Sequence, residues 1–224
     1  MDESLPTTDA QAPGEQTRLR ILDAAERLFA ERTYDRTSVR DITEAAGANQ
    51  AAVNYHFGGK DLLYRAVFDR LLAQLREQRI AKIAGAMREG DPTLESLLRA
   101  FATAFLEPLI DGADGMRRVV QLMSREMVAP HLPAEVFIKE LADPVLRAML
   151  EAMGRVRSGA SEGAARLCVL SMVGQLVQLV RMRQMLMDVE QAVVPVSDVG
   201  VLVDHVVRFS VAGFEACLGG GESS

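Results

Sequence analysis

Along most of this chain apolar residues recur at three- and four-residue intervals, and no stretch shows the strict alternation of a half-buried strand. The first such run starts near Thr17 and ends near Arg32, with Ile21, Leu22, Ala25, Leu28 and Phe29 on one helical face. "TYDRTS" interrupts it. Ser38, with Asp41 three residues on, has the form of a capping box opening a short second helix. Val39, Ile42 and Ala46 face inward there, and Gly47 ends it. A third helix is predicted from Asn49 to His56, with Val53 and Phe57 on the core side and Gly58-Gly59 as its stop. A long fourth runs from Lys60 to about Met87. Five more are predicted at 92–110, 114–128, 133–156, 161–188 and 197–217, and Pro144 is expected to kink the helix that carries it. Residues 1–15 and the tail "GGGESS" (219–224) read as disordered. The expected fold class is all-α, with a small module at 16–60 and a larger helical domain at 61–218.

With 224 residues, 49% of them hydrophobic, the chain can bury such a module beside a larger core. Cys168 and Cys217 lie in apolar surroundings without CxxC spacing, which fits a reducing compartment. The polar, acidic N-terminus lacks the parts of a signal peptide, and the apolar uncharged run 167–180 is 14 residues, short for a membrane span. A soluble cytoplasmic protein without a membrane partner is expected. The net charge of −6 argues against a nucleic-acid partner until its distribution is seen. Residues 17–80 hold 11 Lys and Arg against 9 Asp and Glu, while residues 81–224 hold 14 against 18. A locally basic module on an acidic body is compatible with DNA binding.

Two short helices joined by a Gly-containing turn form a helix-turn-helix unit, whose second helix offers its N-terminal side chains to base edges in the major groove. The stretch "GANQAAVNYHFGGK" (47–60) suits that task. The amides of Asn49, Gln50 and Asn54 present the donor and acceptor that adenine needs, and Ala51 and Ala52 permit close approach. Tyr55 and Lys60 are placed to reach phosphates. Each has a plainer alternative: His56 either contacts DNA or caps its own helix, and Arg40 either reads a base or pairs with Asp41 or Glu44.

Residues 17–68, with "ILDAAERLFAE", "TSVRDITEAAG" and "YHFGGKDLLYRAV" in order, resemble the DNA-binding domain of the TetR family of bacterial repressors. "VNYHF" with "REMVAPH" downstream is similar to the CecR-type subgroup. The resemblance implies an N-terminal three-helix DNA-binding domain followed by a larger ligand-binding and dimerisation domain. By position it implies base contacts from Arg40, Gln50 and Ala52, backbone or flanking contacts from Tyr55, His56 and Lys60, and a phosphate-binding helix start at Thr37 and Ser38. Asn54 stands where the family commonly has Tyr, and Gly58-Gly59 where one Ser or Asn is usual.

In the remaining two thirds, "AARLCVLSMVGQLVQLV" (164–180) is apolar all round and requires burial on several sides. Small residues Ser171 and Gly174 on this helix, and Ser210, Gly213 and Cys217 on the last, with Val203 and Val206 above, would let helices approach closely. This pair either packs within the chain or forms a four-helix bundle between two copies. The resemblance implies the second, a homodimer that sets two recognition helices on a palindromic operator.

Met116, Met123, Met127, Met149, Met153, Met172 and Met182, joined by Phe101, Phe105 and Phe137, could line an adaptable apolar cavity or simply fill the core. Arg125, Glu126, Gln175, Gln178 and Arg181 are the candidates to orient a ligand. The resemblance implies an unknown small-molecule effector; a protein partner docking on the C-terminal domain is the alternative. No metal-ligand motif, phosphate loop or nucleophile-base set is recognisable, so neither an enzyme nor a cofactor is expected, and His131 near Glu126 is the only suggestive pairing. The fourth helix is the expected lever between effector and DNA.

Overall fold

The computed structural model describes residues 13–88, 90–107, 114–157, 161–186 and 198–219, with the backbone alone at 114–117, 183–186 and 219. Among them every regular element is helical. The chain divides into two compact units, Met1–Arg70 and Leu71–Ser224.

In the first unit α1 (Pro13–Arg32) buries Ile21, Leu22, Ala25, Leu28 and Phe29. It starts four residues before the expected Thr17, so Pro13–Glu15 are ordered helix rather than tail; residues 1–12 lie outside the described residues. Proline suits that first position, where its missing N–H would have no partner in any case. Thr33, at φ 75, ends α1 in the left-handed region. Helices α2 (Val39–Ala46) and α3 (Gln50–Phe57) pack Ile42, Ala46, Val53 and Phe57 beneath it. Helix α4 (Lys60–Ala86) contributes Leu63, Tyr64, Val67 and Phe68, and the ring of Tyr64 lies edge-on to Phe29 at 4.9 Å. Arg70 closes the unit by reaching Glu26 at 2.5 Å and Asp23 at 2.7 Å. Because this start of α4 belongs to the first core, the division falls ten residues beyond the boundary read from the sequence.

The second unit holds the rest of α4 with α5 (Leu94–Leu106), α6 (Asp114–Val128), α7 (Ala134–Phe137), α8 (Asp143–Val156), α9 (Glu162–Leu186) and α10 (Val199–Gly219). The predicted ends at 108–110, 187–188 and 197, and the tail from 220, lie outside the described residues. Helix α5 packs on α8, α9 and α10, and α9 on α8 and α10. The single helix expected at 133–156 is α7 and α8 joined by a π turn, Ile138–Ala142. Pro144 falls in the first turn of α8, so the irregularity precedes the proline instead of bending the helix around it. Proline has no N–H and its ring crowds the carbonyl four residues back, and the wider π turn relieves both.

Candidate nucleic-acid interface and ligand cavity

Ser38 caps α2 as its sequence suggested. Its Oγ accepts the Asp41 N–H at 3.1 Å, and Asp41 Oδ2 accepts the Ser38 N–H at 2.9 Å. These Ser38 bonds hold the Asp41 carboxyl below its ordinary pKa. Gly47, at φ 60, ends α2 in a left-handed turn that a Cβ would oppose. Two residues later the Asn49 side chain accepts the Ala52 N–H at 2.8 Å and opens α3. Asn49 is thus the N-cap rather than the first helical residue, and its amide NH2 is what it can present outward.

Burial of Val53 and Phe57 decides where the polar side chains of α3 go. The pairs Gln50/Asn54 and Ala51/Tyr55, each four residues apart, are all exposed, Tyr55 to 85%. Ala52 and His56 are half-buried, the His56 ring lying 5.0 Å from that of Tyr55. Arg40 is exposed on α2; Asp41 turns to Ser38 and to Arg32 at 3.8 Å instead of to Arg40. Gly58 and Gly59 both have positive φ, and a Cβ on Gly58 would stand 2.9 Å from Leu62.

Two residues have different surroundings from those expected. Thr37 is buried, its Oγ1 donating to the carbonyls of Thr33 at 2.7 Å and Leu28 at 3.3 Å. Its backbone N–H is bonded to Tyr34 O at 3.2 Å, so Thr37 ties the α1–α2 turn together and has nothing left to give a phosphate. Lys60, half-buried at the start of α4, lies with Nζ 3.9 Å from the centre of the Tyr34 ring. That contact positions the ammonium while engaging none of its N–H donors with an oxygen. Tyr34 in turn donates to Asp61, and burial followed by that bond pushes its pKa up to about 12. Arg18, which the sequence did not single out, places its guanidinium 5.3 Å over the Phe57 ring at the end of α3.

The second unit contains a cavity of about 370 Å³ between α4, α5, α6, α7, α8 and α9. Phe101, Phe105, Met123, Met127, Phe137 and Arg181 line it, as the sequence suggested. Other expected members do not: Met149 and Met153 are fully packed core, Gln178 is exposed and Arg125 is absent from the lining. Gln175 faces a second hollow, about 450 Å³, between α9 and α10, together with Ser171, Ser210, Gly213 and Cys217. Met116 has no described side chain. Valines, from Val119 on α6 to Val180 on α9, supply much of the remaining apolar wall, and Ser124 and Arg79 complete its polar groups. The valines repeat at helical spacing like any core valine, so their role in a cavity was not visible in the sequence.

Along α9 and α10 the large exposed apolar residues are Leu167, Leu170, Val201 and Phe209. Val203 and Val206, expected at a dimer face, are instead buried within the chain, whereas Gly174 and Gly213 are exposed with open space around them. Glu162–Met182 is long and apolar enough to cross a membrane by composition, with mean hydropathy 1.5, and 28% of its most apolar 18-residue stretch is buried. The buried Glu126 carboxylate accepts the N–H groups of His131 at 2.7 Å and Leu132 at 2.5 Å through Oε1 and fastens the α6–α7 turn, while its Oε2 lies 3.6 Å from His131 Nδ1.

The profile of bacterial regulatory proteins of the tetR family matches residues 21–67, and that of the tetracyclin repressor-like C-terminal domain matches 99–213. The chain belongs to the TetR family. Its two matched stretches fall one in each unit. The HTH-type transcriptional regulator TtgR of Pseudomonas putida is 31% identical over 109 residues, 49% of this chain and 50% of that protein. The HTH-type transcriptional repressor Rv1474c of Mycobacterium tuberculosis is 41% identical over 73 residues, 33% of this chain and 35% of that protein. The chain thus spans half or less of the length of these curated relatives. A TetR-family regulator from Mesorhizobium loti superimposes with a TM-score of 0.68 at 18% identity, covering 92% of this chain and 98% of that one. At that identity the likeness concerns the fold, which this TetR-family chain shares over both units.

Proposed function

We propose that this TetR-family protein is a sequence-specific DNA-binding repressor of transcription, active as a homodimer on a palindromic operator and released by a small, largely apolar effector. The observation that carries this reading is the exposed face of α3, where Gln50, Asn54 and Tyr55 stand outward behind a capped turn and above a buried Val53 and Phe57. Gln50 and Arg40 read bases, Ala52 lies close to them, and Asn49, Tyr55, His56 and Lys60 hold the phosphate backbone. Thr37, and Ser38 whose N–H and hydroxyl are both given to Asp41, are left out of that set.

A second copy covers the α9–α10 face. Leu167, Leu170 and Phe209 supply the apolar contact, Gly174 and Gly213 permit close approach, and Ser171, Ser210 and Cys217 border the hollow between them. Ser210 Oγ is buried there without a hydrogen-bond partner, a gap that a partner group could fill. The effector enters the 370 Å³ cavity and favours a form whose two DNA modules are wrongly spaced, by no more than its difference in affinity for the two forms. Helix α4 joins the two events in one element, since it carries both Lys60 and the cavity-lining Leu75.

The test is selection of bound DNA from a random pool by the purified protein at near-physiological salt. Recovery of one inverted repeat is expected. Failure of a folded, ligand-free dimer to enrich any sequence would overturn the reading. Indifference of the enriched complex to every apolar compound tried would transfer control to a protein partner.

A further inference from the structure

One side chain in the cavity wall is unlike the rest. Arg79, on the later turns of α4, has its guanidinium 4.0 Å over the Phe105 ring, and its Nε is shut off from solvent without a hydrogen-bond partner. The other arginines of α4 and its second lysine are provided for: Arg65 holds Asp69, Arg70 holds Glu26, Arg76 holds Glu140 and Lys82 holds Glu107. Arg79 has no such partner among the described residues. Nor does the cavity supply one, since its described lining contains no carboxylate and its polar members are Arg79, Ser124 and Arg181. The buried carboxylate of Glu126 is taken by the His131 and Leu132 N–H groups.

Burial lowers the Arg79 pKa to about 10, which leaves it charged at neutral pH. A guanidinium offers five N–H donors, and a cation enclosed by apolar walls is unfavourable until an anion or acceptor meets it. The facing Phe105 ring offsets part of that cost and holds the group in place. A site of this kind favours a ligand with one oxyanion at the end of an apolar body.

We propose that the cavity binds an amphipathic carboxylate, a straight-chain acid whose carboxylate pairs with Arg79 while its chain lies along Phe101, Val173 and Val177. At about 30 Å³ per water-sized group, a cavity of this volume accommodates on the order of a dozen heavy atoms, which is about eight to ten carbons with the carboxylate. The proposal rests on the reading of this cavity as the effector site and specifies the chemical class of the effector.

The experiment is isothermal titration calorimetry of the full chain, without DNA, against octanoate, 1-octanol and octylammonium. Octanoate should bind at least about tenfold more tightly than 1-octanol, the increment of a charge-assisted pair, and octylammonium should bind weakest. Arg79→Met should remove that preference while 1-octanol binds at least as well, and Arg79→Lys should keep part of it. Equal binding of acid and alcohol by the wild type, or undiminished octanoate binding by a folded Arg79→Met, would overturn the proposal. If Arg79→Met does not fold, the wild-type ranking of acid, alcohol and amine decides alone. Arg79-dependent octanoate binding that leaves DNA affinity unaltered would refute the release mechanism and leave this assignment standing.

Discussion

Arg76 on α4 donates to the backbone carbonyl of Glu140 at 2.9 Å, and Glu140 is the residue four positions before Pro144. That carbonyl is the one a regular helix would have bonded to the N–H that proline lacks. A side chain from another helix has taken over a backbone duty, which is how the chain tolerates a π turn inside the second unit.

The two residues should therefore be thermodynamically coupled. Arg76→Met should destabilise the protein, and should do so by about 1 kcal/mol less in a Pro144→Ala background, where an N–H becomes available to the same carbonyl. Urea unfolding of the two single variants and the double variant gives the coupling directly. Strict additivity would mean that Arg76 does not serve the break.

Base reading and phosphate holding separate by their dependence on sequence and salt. Gln50→Ala should cost roughly 1–3 kcal/mol on the selected operator and much less on random DNA. Lys60→Ala should weaken both alike and lower the slope of log affinity against log salt by about 0.9. Equal losses on both DNAs for Gln50→Ala would remove it as a reader.

Thr37→Val keeps the shape of the side chain and deprives the Thr33 and Leu28 carbonyls of their donor. It should lower stability by roughly 1–3 kcal/mol in thermal or urea unfolding. Affinity of the folded fraction for DNA should be unchanged. A direct loss of affinity in stable protein would restore Thr37 to the interface.

Phe209 is 62% exposed on α10, so Phe209→Glu should leave the fold of a single copy intact. Sedimentation velocity is expected to show a dimer for the wild type and a monomer for the variant. An unaltered dimer would move the interface elsewhere.

Asp41 gives an acid-side signature. Ser38 depresses its pKa in the folded chain below the ordinary 3.8. A depressed carboxylate contributes stability that is present above its unfolded pKa and is lost as pH falls through the folded value. Stability should thus decline below about pH 4, and Asp41→Asn should make that decline shallower. Denaturant midpoints measured between neutral and acid pH compare the two slopes.

The local structure of the first unit was legible because its determinants are neighbours in the chain. Ser38 and Asp41 are three residues apart, Gly47 supplies its own left-handed conformation, and Val53 and Phe57 fix the face of α3 by their spacing alone. The start of α1 was less visible, since Pro13 to Gln16 bear no apolar periodicity and only the cap position of a proline marks them.

What the sequence by itself determined was therefore an all-helical chain, the helix-turn-helix and the outward set on α3, all products of contacts within one or two helical turns. Only the tertiary structure decided which helical residues face a hollow, because that depends on where six distant segments converge. It turned Thr37 inward, packed Met149, Met153, Val203 and Val206 into the core, exposed Phe209, and left Arg79 in an apolar wall with no carboxylate among the described lining residues. An arginine at helical spacing among other arginines carries no mark of that environment, and the charges around it are set by residues far along the chain.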